Sequence, residues 1–135
     1  MADAVRPFLD TNVVLYAFLS DDPRRERAEA ALVAGGVASV QVLNEFAAVA
    51  RRKLGWEWTA IEAALGLVES RCRPVRALTL ATHRAGLALA RDHQLSLYDG
   101  MVVAAALEAG CERLLTEDLQ HGRRFDALEV VNPFL

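Results

Sequence analysis

Brief apolar runs alternate along this chain with longer stretches in which apolar residues recur every three or four positions. That rhythm predicts short strands joined by helices. Val5 to Leu9 reads as a short buried strand and Thr11 to Leu19 as a helix. Pro23, after Asp21-Asp22, is placed as a first-turn proline opening a second helix to about Ala34, which Gly35-Gly36 stops. Val37-Ala38 is a weak strand. Ser39 is placed as the cap of a helix from Val40 to Lys53, ended by Gly55. Thr59 is placed as the cap of a fourth helix through Ser70. Cys72 to Leu78 is extended, with Pro74 confining it to an edge or a strand start. Thr79 caps a fifth helix to about His93, and Leu95 to Leu97 reads as a strand. Asp99 opens a sixth helix ending at Gly110. Cys111 to Leu115 is a strand, Glu117 to Arg124 a polar loop, and Leu128 to Val131 a last strand closed by Asn132-Pro133. Apolar strands alternating with helices imply an α/β fold whose parallel sheet is covered on both faces.

Composition narrows the class. One domain is the expectation for 135 residues, and a hydrophobic fraction of 53% argues against disorder. No apolar run approaches the roughly 18 residues needed to span a bilayer. Met1-Ala2-Asp3-Ala4 lacks the basic start and long apolar stretch of a signal peptide, so the expected location is cytoplasmic, without membrane association. Cys72 and Cys111 form no C-x-x-C and read as buried free thiols, and His83, His93 and His121 show no ligand spacing. His93 is placed at a helix C-terminus, where a cation is favoured. A net charge of −3 does not mark a general nucleic-acid binder. Arginines nonetheless outnumber lysines fourteen to one and cluster at Arg24/Arg25/Arg27, Arg51/Arg52/Lys53, Arg71/Arg73/Arg76 and Arg123/Arg124. Arginine is the better bidentate partner for phosphate, although such clusters also serve as solvated surface and helix ends.

The chemistry is concentrated in acidic residues at the ends of apolar segments. Asp10 follows Val5–Leu9, Asp99 follows Leu95–Tyr98, and Asp118 follows Leu114-Leu115-Thr116-Glu117. Parallel neighbouring strands would bring their carboxyl ends, and these acids, to one edge of the sheet, where α/β proteins bind ligands. Glu45 lies at the margin of the helical stripe Val42, Phe46, Val49, where a carboxylate wants a partner. Each aspartate also has an ordinary reading, Asp10 and Asp99 as helix caps and Asp118 as a turn residue. Asn12 and Thr116 are accessory polar candidates, and Glu117 is expected to point outward. Like charges at such density repel unless a cation or shared protons hold them, and an all-oxygen set suits Mg²⁺ or Mn²⁺.

Four blocks make the chain resemble a PIN domain, and more narrowly the VapC-type toxins of bacterial toxin–antitoxin pairs. They are Phe8-Leu9-Asp10-Thr11-Asn12, Val42-Leu43-Asn44-Glu45-Phe46, Leu97-Tyr98-Asp99-Gly100-Met101-Val102-Val103-Ala104-Ala105-Ala106, and Leu114-Leu115-Thr116-Glu117-Asp118-Leu119-Gln120-His121-Gly122. Their order and spacing run through almost the whole chain. Gly100 departs from the alanine usual in the family after the third acid, at some cost in helix propensity. The resemblance implies a three-layer α/β/α sandwich with a short central parallel sheet, formed as a single domain over residues 1–135. It implies a Mg²⁺- or Mn²⁺-dependent endoribonuclease in which Asp10, Asp99 and Asp118 hold the metal and Glu45 completes the ring or orients the attacking water. It also implies a homodimer and a cognate antitoxin that neutralises the enzyme. Arg123 and Arg124, in the loop just after Asp118, are the candidate RNA contacts; Arg24 and Arg25, in an early helix, need not reach the substrate. Three rivals stand beside this reading. An aspartate-nucleophile phosphatase needs a second Asp where Asn12 stands. A receiver-like phospho-accepting domain needs a lysine beside the acids, and Lys53 sits at a helix terminus. A PIN fold kept only for binding is the third.

Overall fold

The computed structural model describes residues 6–135. The chain runs β1 (Phe8–Leu9), α1 (Thr11–Tyr16), α2 (Arg25–Ala34), β2 (Ala38–Ser39), α3 (Val40–Arg52) and α4 (Trp58–Arg71). Then follow β3 (Val75–Arg76), α5 (Leu80–His93), α6 (Leu97–Glu108), β4 (Arg113–Leu115), β5 (Arg124–Phe125) and β6 (Leu128–Val131). The central sheet has the order β1-β4-β6-β5, parallel except for β5 at its edge. A parallel pair of β2 and β3 continues beyond β1 through a bridge from Phe8 to Val37. Helices α1 to α4 pack on one another, and α5 and α6 pair closely, so the sheet lies between helical layers as an α/β/α sandwich.

The strands are short, and burial compensates. Phe8, Leu9, Leu114, Leu128 and Val130 have no exposed surface, and Val13, Val14, Val42, Phe46 and Val103 close over them from the helices. Each such side chain stabilises the fold by about 1.5–3 kcal/mol. The α5–α6 contact is so close that a Cβ on Gly100 would collide with the Gly86 carbonyl, and one on Gly86 would come within 2.9 Å of Met101 Cα. The glycine at position 100 is therefore fitted to its facing helix, which accounts for the departure from alanine in the sequence.

Register positions the site. Leu9 pairs with Leu115, so β1 and β4 end side by side and release Asp10 and Thr116 at the same edge. Ser39 and Thr79 cap α3 and α5 as their sequence context predicts, and Cys72 and Cys111 are buried free thiols.

Other expectations shift. The strand expected at Leu95–Leu97 is absent: Ser96 caps α6, and the apolar run belongs to the approach and first turn of that helix. A short apolar run does not distinguish the two states. Asp99 is accordingly the third residue of a helix rather than its cap. The first strand is limited to Phe8–Leu9. Pro7 contributes only its carbonyl, to Val37 N–H, and Val5 lies outside the described residues. The first helix stops at Tyr16, where the chain tightens through bonds from Phe18 to Leu15 and Leu19 to Tyr16. Helix α2 opens at Arg25, beyond Pro23, because the Asp22 side chain takes up the Arg24 N–H at 2.8 Å. Helix α4 begins at Trp58, so Thr59 lies inside it. The extended segment at 72–78 pairs only at Val75–Arg76, and the polar loop after Glu117 ends in strand β5.

Candidate active site

Asp10 sits where β1 gives way to α1 and is only 5% exposed. Its Oδ1 accepts the Thr11 N–H at 2.7 Å, and its Oδ2 accepts the Thr116 hydroxyl at 2.8 Å. Burial pushes its carboxyl up to about 7; the bonds from Thr11 and Thr116 oppose this, while the charges of Asp118 and Glu45 add to it.

Asn12 joins the strand ends. Its amide nitrogen donates to Asp118 Oδ2 at 3.0 Å and Thr116 Oγ at 3.2 Å, with Asp10 Oδ2 at 3.5 Å, while its oxygen accepts the Glu117 N–H at 3.3 Å. Thr116 Oγ also accepts the Asp118 N–H at 3.0 Å, closing the turn that presents the Asp118 carboxylate. Glu45 reaches in from α3: one oxygen accepts the Thr11 hydroxyl at 3.2 Å and the other the Gln41 amide at 2.9 Å. Gln41 also donates to the Tyr98 carbonyl at 3.2 Å, tying α3 to the start of α6. Asp99 donates its N–H to Ser96 Oγ at 3.1 Å. Partial burial, with the Asp118 charge adding, raises the Asp99 carboxyl.

Asp10, Asn12, Glu45, Thr116 and Asp118 thus form one hydrogen-bonded network, and Asp99 joins it through the charge of Asp118. Among the described residues, none of the four carboxylates pairs with an arginine, lysine or histidine. The described side chains include no group of three or more Asp, Glu, His or Cys arranged as they stand to hold a metal ion. The chemistry of the donor set nevertheless fits a hard divalent cation. It is all oxygen, uncompensated by protein cations and partly desolvated, and Mg²⁺ retains several waters through which carboxylates can act at a distance.

Other sequence-derived placements change. Glu117 turns inward: it accepts the Tyr16 hydroxyl and two bonds from the Arg24 guanidinium at 3.0 and 3.1 Å. Arg24 also lies 3.7 Å over the Tyr16 ring and pairs with Asp22 at 2.7 Å, which holds the Asp22 carboxyl down at about 2. An arginine placed by sequence away from the substrate therefore anchors the residue before Asp118. Arg123 donates to the His93 carbonyl at 3.0 Å and rests on Phe125, and Arg124 pairs with Glu129 at 3.8 Å. Sequence reasoning missed Thr11, Gln41, Tyr16 and Arg24. The four-residue spacing of Gln41 from Glu45 on one helix was a usable signal. No local pattern links Tyr16 and Arg24 to a glutamate about ninety to a hundred positions away.

The PIN domain family model matches residues 8–127, and the chain belongs to that family. Its fold is similar to that of three solved structures. One is Mycobacterium tuberculosis VapC20, a sarcin–ricin-loop-cleaving toxin (TM-score 0.68, 20% identity, 82% of this chain and 90% of that one). Another is a toxin–antitoxin complex from Klebsiella pneumoniae (TM-score 0.73, 19% identity, 95% and 98% covered). A third is VapBC2 from Rickettsia felis bound to a fragment of its promoter DNA (TM-score 0.63, 18% identity, 91% and 95% covered). No curated protein matches the chain significantly by sequence. Among the described residues, no helix is long and apolar enough to cross a membrane.

Proposed function

We propose that this chain is a metal-dependent endoribonuclease of the VapC type, a toxin that hydrolyses RNA phosphodiester bonds and is neutralised by a cognate antitoxin. The observation that carries this reading is the hydrogen-bonded network that links Asp10, Glu45 and Asp118, with Asp99 within reach of the Asp118 charge and no protein counter-cation among the described residues, at the carboxyl edge of the parallel sheet in a PIN domain. Asp10, Asp99 and Asp118 would hold Mg²⁺ or Mn²⁺, directly or through water, with Glu45 completing the set. The bound cation supplies a lowered pKa for the attacking water and offsets charge building on the phosphate oxygens.

The protein's own contribution is orientation. Thr11 and Thr116 fix the Asp10 carboxylate, Asn12 and Thr116 fix the turn bearing Asp118, and Ser96 fixes the first turn bearing Asp99. Gln41 and Thr11 hold Glu45 from both sides, leaving it to orient the attacking water for in-line displacement. No side-chain nucleophile is required, and the products are a 5′-phosphate and a 3′-hydroxyl. Arg124, whose pairing with Glu129 is long at 3.8 Å, and its neighbour Arg123 are the candidate contacts to the RNA backbone. The structural likeness to toxin–antitoxin assemblies supports an antitoxin partner; a homodimer acting on RNA in the cytoplasm completes the proposal.

The test is induced expression without a partner, with sequencing of RNA 5′ ends. New 5′ ends and growth arrest, both abolished by Asp10→Asn or Asp99→Asn, are the expected result. RNA retained by the protein with no new 5′ ends would favour a PIN fold used only for binding.

A further inference from the structure

A cleft of ≈ 510 Å³ opens directly beside the acidic site, lined by Gln41, Asn44, Glu45, Ala48, Leu78 and Tyr98. Its volume is that of a small-ligand pocket rather than of a groove for a helix, for which the usual range is about 300–1,000 Å³. The lining is mostly apolar, yet Glu45 belongs both to this cleft and to the carboxylate network. Tyr98, immediately before Asp99, is 65% exposed, and Leu78, which also lines the cleft, is 46% exposed. An aromatic ring left in solvent has no packing reason to be there. Its backbone is nonetheless well fixed: Gln41 bonds the Tyr98 carbonyl and Glu45 together. The exposed amide of Asn44 offers both a donor and an acceptor at the rim. An aromatic face, an apolar wall and an amide edge suit a planar heteroaromatic group that also bears hydrogen-bonding atoms.

We propose that this cleft is a nucleobase subsite: the base of a nucleotide flanking the scissile phosphate, splayed out of the strand, stacks on Tyr98 against Leu78 and meets the amide of Asn44. The inference rests on the ribonuclease reading and deepens it, because it names the residues of this chain that receive the base beside the cut. Sequence-specific recognition of RNA uses such splayed bases, and stacking on an aromatic side chain tolerates any base while the amide edge discriminates among them. The continuity with Glu45 selects the occupant, since whatever fills the cleft adjoins whatever lies over the acids.

The experiment uses decaribonucleotides of random sequence carrying 2-aminopurine, whose fluorescence falls on stacking. In chelator, where nothing is cut, wild type and Tyr98→Phe should quench the probe. Tyr98→Ala should lose the quench and bind about 5- to 150-fold more weakly, as expected for one lost stack. Leu87→Ala, an exposed leucine outside the cleft lining, should match wild type. In Mn²⁺, the Tyr98→Ala defect should fall on KM. Cleavage by wild type with equal quenching and KM in Tyr98→Ala would overturn the subsite alone. Tyr98-dependent quenching without any cleavage in Mn²⁺ would overturn the nuclease reading and reduce the cleft to a base-binding site with no scissile phosphate beside it. Unchanged quenching with a shift from dimer to monomer in sedimentation would reassign the cleft to a contact between copies.

Discussion

Replacing Asp10 by asparagine should stabilise the metal-free protein at neutral pH and destabilise it in acid. Asp10 is held at about 7 in the folded state against an ordinary value of 3.8, chiefly because it is buried. Below 3.8 both states carry the proton and nothing is lost. Between 3.8 and about 7 the unfolded chain releases it while the native state keeps it, so stability falls as pH rises and levels off above the folded value. The full span corresponds to about 4 kcal/mol at pH 8. The asparagine carries no charge and keeps an oxygen for the Thr11 N–H, but it forces the Thr116 hydroxyl to find another acceptor, at about 1–2 kcal/mol. The net gain at pH 8 is therefore about 2–3 kcal/mol, on the order of 10 °C in Tm for a domain of this size. The gain should vanish near pH 5 and change sign below it. The assay is thermal unfolding of both proteins in chelator from pH 4 to 8. A Tm difference that is the same at every pH would mean that Asp10 does not titrate with folding. In Mn²⁺ at about a thousand times its Kd the order at neutral pH should reverse, because wild type then gains about 4.1 kcal/mol and the variant much less.

Gly100→Ala should destabilise the protein by about 1–3 kcal/mol in denaturant unfolding, because the collision with the Gly86 carbonyl outweighs a helix-propensity gain of about 1 kcal/mol; equal or higher stability would show that the α5–α6 contact relaxes freely. Arg24→Ala should cost less than about 1 kcal/mol in stability, since the pair with Glu117 is partly exposed, yet lower the rate of RNA cleavage several-fold by freeing the turn before Asp118; an unchanged rate would confine Arg24 to the surface. The Arg123→Ala/Arg124→Ala pair should weaken RNA binding across sequences and flatten its salt dependence by about one unit of slope per lost phosphate contact. Titrations across salt measure this, and an unchanged slope would reject a backbone role for that loop.

Much of the candidate site was legible because its residues mark the ends of elements. Asp10 and Asp118 close apolar runs that are strands or the turns beyond them, and parallel pairing carries such ends to one edge. Glu45 was visible as a charge on the margin of an amphipathic helix. Asp99 was singled out for a partly mistaken reason: the apolar residues before it lead into the first turn of α6, and Ser96 takes the cap. Tertiary contacts were not legible. The Arg24–Tyr16–Glu117 cluster is assembled by a turn whose path no short pattern encodes, and the tight α5–α6 crossing gave no signal beyond two isolated glycines. Two-residue strands such as β3 and β5 are set by their neighbours rather than by local propensity, which is why the first was drawn too long and the second was read as loop.

If the acidic cluster cuts RNA with a divalent cation, both the cation and the acids must be indispensable to cutting. Purified protein is incubated with total RNA in Mg²⁺ or Mn²⁺ and in chelator, beside Asp10→Asn and Asp99→Asn, and the chemistry of the new ends is determined. Cleavage is expected only with the cation and only by wild type, leaving 5′-phosphates and 3′-hydroxyls. Soluble, folded Asp10→Asn protein that cuts as fast as wild type, or cutting that persists undiminished in chelator, would rule out a metal-dependent acidic site.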